Sequence, residues 1–390
     1  MSLYLDHAAT TPLSPAAREA MLPYLDAWFG NASEPHSFGR QAKAGLERAR
    51  MRLAELLGCE PAQVVFTSGG TEADNLALFG VAGDPPGRLV VSAVEHAAVR
   101  EAALLLERRG FEVAWAPVTR EGVVDAAAFA ELVRPGDRLA AVMWANNVTG
   151  VVQPVAELAA IAVERGVPLH TDAVQAAAGL PVDVAAAGLA TAAFSAHKVN
   201  GPKGVGCLVL RESIRAQQVG GGQERGVRSG TENVAGIAGF AAALEERRAR
   251  ADGRAEVRDL LERLVEGVAV PVGARAPRLG GHSLLRVDGV RAELLVLALD
   301  QAGYAVSAGS ACTAGESEPS HVLLAQGLTP EEARSVIRVS LGLDTTAAEI
   351  EGFAGALRSA VERLRTGTLL PDVNDLGFPV CPARPSPATP

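Results

Sequence analysis

The chain has 390 residues, 48% hydrophobic and 21% charged, and carries a net charge of −9 at pH 7. That balance excludes a disordered chain, and the acidic excess argues against coating nucleic acid through a basic face. Only three of the 36 basic side chains are lysines, Lys43, Lys198 and Lys203, so any chemistry that needs a lysine amine has three candidates.

At this length two domains are expected. The N-terminus lacks a basic segment followed by an apolar run, and no stretch approaches the roughly 18 apolar residues that suggest a membrane span. The four cysteines, Cys59, Cys207, Cys312 and Cys381, form no CxxC pair. Their spacing fits neither zinc nor a disulfide framework, and a cytoplasmic protein with reduced thiols is expected.

In chain order, Gln41–Leu57 has apolar residues at helical spacing, Val64–Phe66 reads as a short strand, and Thr71–Phe79 reads as a helix opened by a glycine turn. Strands are expected at Leu89–Ser92, Leu139–Trp144, Pro168–Thr171 and Val205–Leu210, with helices at Ala97–Arg108 and Val155–Glu164. This alternation predicts an α/β fold with a mostly parallel central sheet flanked by helices. After Gly236 a long helical stretch, broken near Asp252–Gly253, leads into a smaller α+β unit. That unit has strands at Leu284–Val287 and Val336–Leu341 and helices at Ala292–Ala302 and Thr346–Leu364. Residues 303–315 read as a strand entering a Ser/Gly-rich loop. The expected division is 12–250 for a large domain, 1–11 with 251–365 for a small domain carrying a mobile cysteine loop, and 366–390 for an irregular tail.

Four segments could carry chemistry. Thr67-Ser68-Gly69-Gly70-Thr71-Glu72 joins a strand to a helix, where free amides suit a phosphate; such turns are also common structural connections. In His170-Thr171-Asp172-Ala173-Val174-Gln175 a carboxylate ends a hydrophobic strand, where open α/β sheets bind ligands; it reads equally as a helix-capping aspartate. Lys198 closely follows the apolar run Leu189–Phe194, so it emerges from the interior rather than sitting on the surface as most lysines do. A strand-end acid, a phosphate turn and an interior lysine together are what pyridoxal 5'-phosphate requires. Finally, Cys312 lies among small residues from Val306 to Gly315, a setting that lets a loop move, although most free cysteines are buried and structural.

With these segments in view, the sequence resembles the NifS/IscS-type cysteine desulfurases, class V aminotransferase-like enzymes of the pyridoxal-phosphate fold type I. The resemblance runs from Tyr4-Leu5-Asp6-His7-Ala8-Ala9-Thr10-Thr11-Pro12 to about Leu364. It includes Glu95-His96, Asn146-Asn147, the run Gly220–Gly226 leading into Arg228-Ser229-Gly230-Thr231, the segment Ser307–His321, and Ile337–Gly342. The resemblance implies that Lys198 forms the Schiff base and shuttles protons. It implies that Asp172 pairs with the pyridinium nitrogen, His96 stacks on the ring as an acid/base, and Gln175 bonds the ring 3'-oxygen. Gly70, Thr71, Ser195 and His197 would hold the phosphate, and Thr231 would reach the phosphate of the neighbouring subunit of a homodimer. Asn147 would line the cofactor and, with Arg338, bind the substrate carboxylate. Cys312 would be the nucleophile that takes sulfur from L-cysteine as a persulfide, leaving alanine. A sulfur-acceptor protein such as an Fe–S scaffold would be the partner, with no metal, nucleic acid or membrane involved. Val148, Ala32 and the segment Gly281–Leu285 depart from the family pattern. A selenocysteine lyase or another class V aminotransferase-like enzyme is the alternative, and Cys312 argues against an aminotransferase, which has no need of it.

Overall fold

A computed structural model of the chain describes residues 2–309 and 319–367. The expected cysteine loop (310–318) and nearly all of the tail (368–390) lie outside the described residues.

A seven-stranded sheet forms the centre of the large unit. Its order across the sheet is Val64–Thr67, Gly206–Leu210, Thr191–Ser195, Leu169–Asp172, Leu139–Ala141, Arg88–Ser92 and Glu112–Ala116. Gly206–Leu210 runs antiparallel to both its neighbours, and the remaining pairs are parallel. Strands such as Thr191–Ser195 and Leu169–Asp172 are buried throughout, as expected where helices cover both faces. Phe129, Phe194, Phe240 and Leu53 belong to the core packed around this sheet.

The elements expected from periodicity are present. Ala97–Arg108 and Val155–Glu164 match residue for residue. The long helical stretch divides into Val234–Ala249 and Arg254–Leu264. The break holds because Asp252 accepts from both Arg247 (2.5 Å) and Arg254 (2.6 Å). Other elements have no counterpart in the sequence expectations, among them a helix and an edge strand of the large unit. The helix Pro15–Leu25 is capped by Ser14, whose Oγ accepts from Ala17 N, with Pro15 opening the first turn. Glu112–Ala116 is the edge strand, and its largely unburied alternation weakens its hydrophobic signal. The strand expected over Leu139–Trp144 ends at Ala141, because Met143 N donates to Glu95 Oε1 (2.7 Å) instead of to a neighbouring strand.

A second core gathers Leu5, Leu261, Leu285, Ile337, Phe353 and Leu357. It lies under an antiparallel sheet ordered Ser307–Ala308, Val336–Ser340, His282–Arg286, Val270–Pro271. Leu3–Tyr4 pairs in parallel with Tyr304–Ala305, which brings the first residues of the chain to this second core. The helix Ala347–Arg365 covers it, opened by a capping box between Thr346 and Glu349. Among the described residues, no helix is long and apolar enough to cross a membrane.

Candidate active site

The C-terminal ends of the parallel strands deliver chemically capable side chains to one edge of the large sheet, where this architecture holds ligands. Thr67 leads into Gly69 and Gly70, which open the helix Gly70–Ala82 with no side-chain cap. The first-turn amides there face outward at the positive end of the helix dipole. The turn tolerates no larger residue at two places. A Cβ on Gly70 would lie 2.7 Å from Val174 Cγ2, and one on Gly206 would lie 2.8 Å from Gly69 Cα. Ser195 flanks the turn, its Oγ 3.8 Å from where a Gly69 Cβ would sit. Thr71 is exposed at the rim of this cradle.

Beside it, Asp172 ends the strand Leu169–Asp172 and accepts from Val174 N (2.9 Å). Its carboxylate, that of Asp74 and the His96 ring each place one atom within 4.8 Å of the others. Burial raises the Asp172 pKa, and His96, the Val174 amide and Lys198 oppose that rise. Asp74 is pushed up much further, by burial and then by the charges of Asp172 and Glu95. Glu95 is driven to about 8, chiefly by burial. Of these three carboxyl groups, Asp172 is therefore the one best placed to stay ionised at neutral pH. His170, two residues before Asp172 and on the same side of the strand, bridges Thr191 Oγ1 (2.8 Å) and Asp74 Oδ1 (3.2 Å). Burial lowers its pKa to about 3, so it is neutral. His96 begins the helix Ala97–Arg108, its Nδ1 accepting from Ala98 N (3.1 Å). In the neutral ring the proton therefore sits on Nε2.

The strand Thr191–Ser195 runs into a single turn at Ala196–Lys198. Lys198 is half-buried, and its Nζ donates to Ala8 O (2.6 Å) and Ala9 O (2.8 Å). Burial, and then the nearby Arg338 charge, bring its pKa down to about 8, against the pull of Asp172 and Asp6. Lys43 and Lys203 are both exposed. His197 is half-buried: its Nδ1 meets Thr10 Oγ1 at 3.1 Å, and its carbonyl accepts from Thr11 Oγ1. Gln175 donates through Nε2 to Ala8 O (2.9 Å), so part of its amide is held by the N-terminal segment.

Arg338 reaches the same edge from the strand Val336–Ser340 of the smaller sheet. Its terminal nitrogens donate to Asp6 Oδ1 (2.7 Å) and Asn147 O (2.9 Å), while its buried Nε has no partner among the described residues. Asn147 thus meets Arg338 through its backbone. Asn146 is structural: its Oδ1 accepts from Val148 N and Thr149 N, and its Nδ2 donates to Val94 O. Thr231 is exposed and apart from these groups, on a loop tied to the phosphate turn by Arg228–Glu72 (2.7 Å). Cys312 lies outside the described residues. Of the other cysteines, Cys59 is half-buried and Cys207 fully buried. Burial lifts Cys59 to about 12 and Cys207 well above the ordinary thiol range, so neither is a thiolate at neutral pH.

Asp6, Glu95 and His170 lie in the quoted motifs without an assigned role, and Asp74 and His282 carry no motif signal. The period-two spacing of His170 and Asp172 could have placed both on one face of a strand. Asp74 lies one helical turn beyond Gly70, on the first turns of the same helix.

The sequence profile described as Aminotransferase class-V matches residues 3–353. An IscS-like cysteine desulfurase of Mycobacterium tuberculosis is 42% identical over 94% of this chain and 98% of its own length. Among solved structures, a NifS-like protein superposes with a TM-score of 0.86 at 32% identity, covering 94% of this chain and all of the other. SspA in complex with cysteine superposes at 0.79 with 30% identity, over 89% of this chain and all of SspA. The sheet order and these matches define the pyridoxal-phosphate fold type I. The chain belongs to the class V aminotransferase family, within its IscS/NifS-like cysteine desulfurase branch.

Proposed function

We propose that the protein is a homodimeric cysteine desulfurase that uses pyridoxal 5'-phosphate to remove sulfur from L-cysteine. It releases alanine and keeps the sulfur as a persulfide on Cys312. The observation that carries this reading is the half-buried Lys198, its pKa drawn down to about 8, close in space to the buried strand-end Asp172. The donor set fits the cofactor. The Gly69–Gly70 turn offers uncapped amides in a cradle that an added Cβ would fill. Asp172 supplies an acid for a pyridine nitrogen, and His96 lies beside it.

When bound, the cofactor supplies an electron sink joined to the substrate Cα. Lys198 would hold it through the ε-amine and, when free, would serve as the base that takes the Cα proton. An amine with pKa near 8 has a usable neutral fraction at physiological pH. Asp172 holds the proton on the ring nitrogen. Gly70, Thr71 and Ser195, joined by His197, would hold the phosphate; His96 would stack on the ring, and Gln175 would bond its 3'-oxygen. Arg338 takes the substrate carboxylate, for which its planar fork and unpaired Nε are suited, and Asn147 closes that side. The Cys312 thiolate attacks the substrate sulfur; the S–S bond forms as the Cβ–S bond breaks, and protonation at carbon gives alanine. Cys59 and Cys207 cannot substitute for Cys312, because both thiols are held protonated.

An exposed apolar group supports the dimer. Leu22, Leu25, Phe29 and Phe38 are 49–69% exposed, and the Phe29 and Phe38 rings lie 5.5 Å apart. A second copy covering this face would also give the exposed Thr231 a neighbouring site to reach. The large unit 12–250 supplies the cofactor groups, and the small unit, 1–11 with 251–365, supplies Arg338 and the cysteine loop. The sulfur then passes to an acceptor protein such as an Fe–S scaffold in the cytoplasm.

Alanine and sulfide measured together test the reading. Cys312→Ser should bind cysteine yet release neither product, and Lys198→Ala should lose the cofactor's visible absorbance. Normal turnover by Cys312→Ser would reject the assigned nucleophile. Faster turnover of selenocysteine than cysteine would favour the selenocysteine lyase.

A further inference from the structure

The N-terminal motif Tyr4–Pro12 contacts Arg338, Gln175, His197 and Lys198. An ammonium group has three N–H donors and no acceptor. Lys198 commits two of them to consecutive carbonyls of that motif, Ala8 O at 2.6 Å and Ala9 O at 2.8 Å. These carbonyls are fixed in place: Ala8 N donates to Ser340 Oγ (2.8 Å), and Ala8 O also accepts from Gln175.

The third donor has a cavity beside it. A space of about 20 Å³ is lined by Lys198, Ala8, Gln175, Arg254, His282 and Ser340, enough for one water. His282 is 6% exposed, and neither of its ring nitrogens has a hydrogen-bond partner among the described residues. A buried polar side chain in that condition requires explanation. The charges around His282 fix its state. Burial first, then Arg338, Arg254, Lys198 and Arg258 press its pKa well below the ordinary value; His7 and Arg247 line the same cavity. The ring is therefore neutral, with one nitrogen donating and the other accepting. Lys198 itself faces Arg338, Asp172 and Asp6.

We propose that Ala8 O, Ala9 O and one water held by His282 form a dock for the free ε-amine of Lys198. This rests on the assignment of Lys198 as the cofactor lysine. The water accepts the third N–H of the ammonium and donates to the accepting nitrogen of His282; no covalent bond changes. The dock holds the ammonium form of Lys198, the form that can return a proton, in one orientation. His282 is thereby a positioning residue that acts through the water, and the small side chains at Ala8 and Ala9 let the lysine approach the backbone.

Two measurements on the full-length chain test this. A high-resolution crystal structure of the cofactor-free protein should show a water within hydrogen-bond distance of both His282 and Lys198 Nζ; a dry cavity would overturn the proposal. The pH dependence of acetic anhydride labelling, read by mass spectrometry on the Lys198 peptide, should have a midpoint near 8 in the wild type. His282→Leu should lower that midpoint by about one pH unit, a tenfold change, because the ammonium loses an acceptor, and His282→Asn should largely retain it. An unchanged midpoint in a folded His282→Leu would also overturn it. If His282→Leu does not fold, the wild-type crystal decides. Borohydride reduction of the loaded enzyme separates the two claims: failure to link the cofactor to Lys198 would reject the assignment of that lysine, whatever the cavity holds.

Discussion

Two buried arginines, one from each unit, show how differently the same side chain is used. Arg50 is 5% exposed at its side chain, and Arg338 is 10% exposed. In the large unit Arg50 spends every nitrogen: Nε on Glu47, one terminal nitrogen on Val64 O and Glu224, the other on Glu224 at 2.7 Å. Its guanidinium also lies 4.6 Å from the centre of the Phe66 ring. The lock holds Glu224 and Arg225 at positive φ (47° and 58°), conformations that non-glycine residues adopt at a cost. In the small unit Arg338 has a single carboxylate contact, to Asp6, and leaves Nε unpaired in a buried setting. A saturated arginine stabilises its surroundings. Arg338 is the arginine we propose takes a ligand, and its orphaned donor is consistent with that role.

The largest effect should come from breaking the saturated pair. Glu224→Ala leaves the buried Arg50 with only the half-exposed Glu47 as a charge partner and should cost about 3–5 kcal/mol in urea unfolding; a loss below about 1 kcal/mol would erase the contrast. Arg338→Lys keeps the charge but loses the fork. Its kcat/KM should fall by roughly 10–200-fold, equivalent to about 1.5–3 kcal/mol of charged hydrogen bonding, while stability changes by less than about 1 kcal/mol. Equal losses in stability and in activity would place Arg338 with Arg50.

The buried carboxyl groups at the site edge give a pH signature. Glu95 titrates near 8 when folded and near 4.5 when unfolded. Across that interval the unfolded chain has released the proton and the folded protein has kept it. Stability should therefore fall as pH rises, by up to about 1.4 kcal/mol per unit. Glu95→Gln should flatten the decline between pH 5 and 8, and an unaltered slope would assign it to other groups. The smallest change should follow Thr346→Ala, which removes the cap of the helix Ala347–Arg365 and should cost about 1 kcal/mol. It should do so without altering KM, since it lies in the scaffold that carries Arg338 and not in the site.

Much of the large unit was legible because long helices and buried parallel strands declare themselves through periodicity. Ala97–Arg108 could be read to the residue, and Asp172 and Lys198 could be recognised because each follows an apolar strand. The pairings between distant segments could not be read. Nothing in Asp6 or Ala8 indicates contact with Arg338 or Lys198, which are separated from them by 332 and 190 positions. Nothing in the sequence marks Asp74 or Glu95 as buried, because burial, which sets their protonation, depends on packing between elements. His282 fell in a segment that departs from the family pattern, and only its three-dimensional surroundings give it meaning.

The central claim is that an interior lysine and Cys312 act together to move sulfur from L-cysteine onto the protein. Mass spectrometry of the Cys312 peptide after incubation with L-cysteine tests it most directly. One added sulfur atom should appear on Cys312 in the wild type and be absent in Lys198→Ala. Alanine formation with no sulfur on Cys312 at any time, or the same adduct in Lys198→Ala, would contradict it.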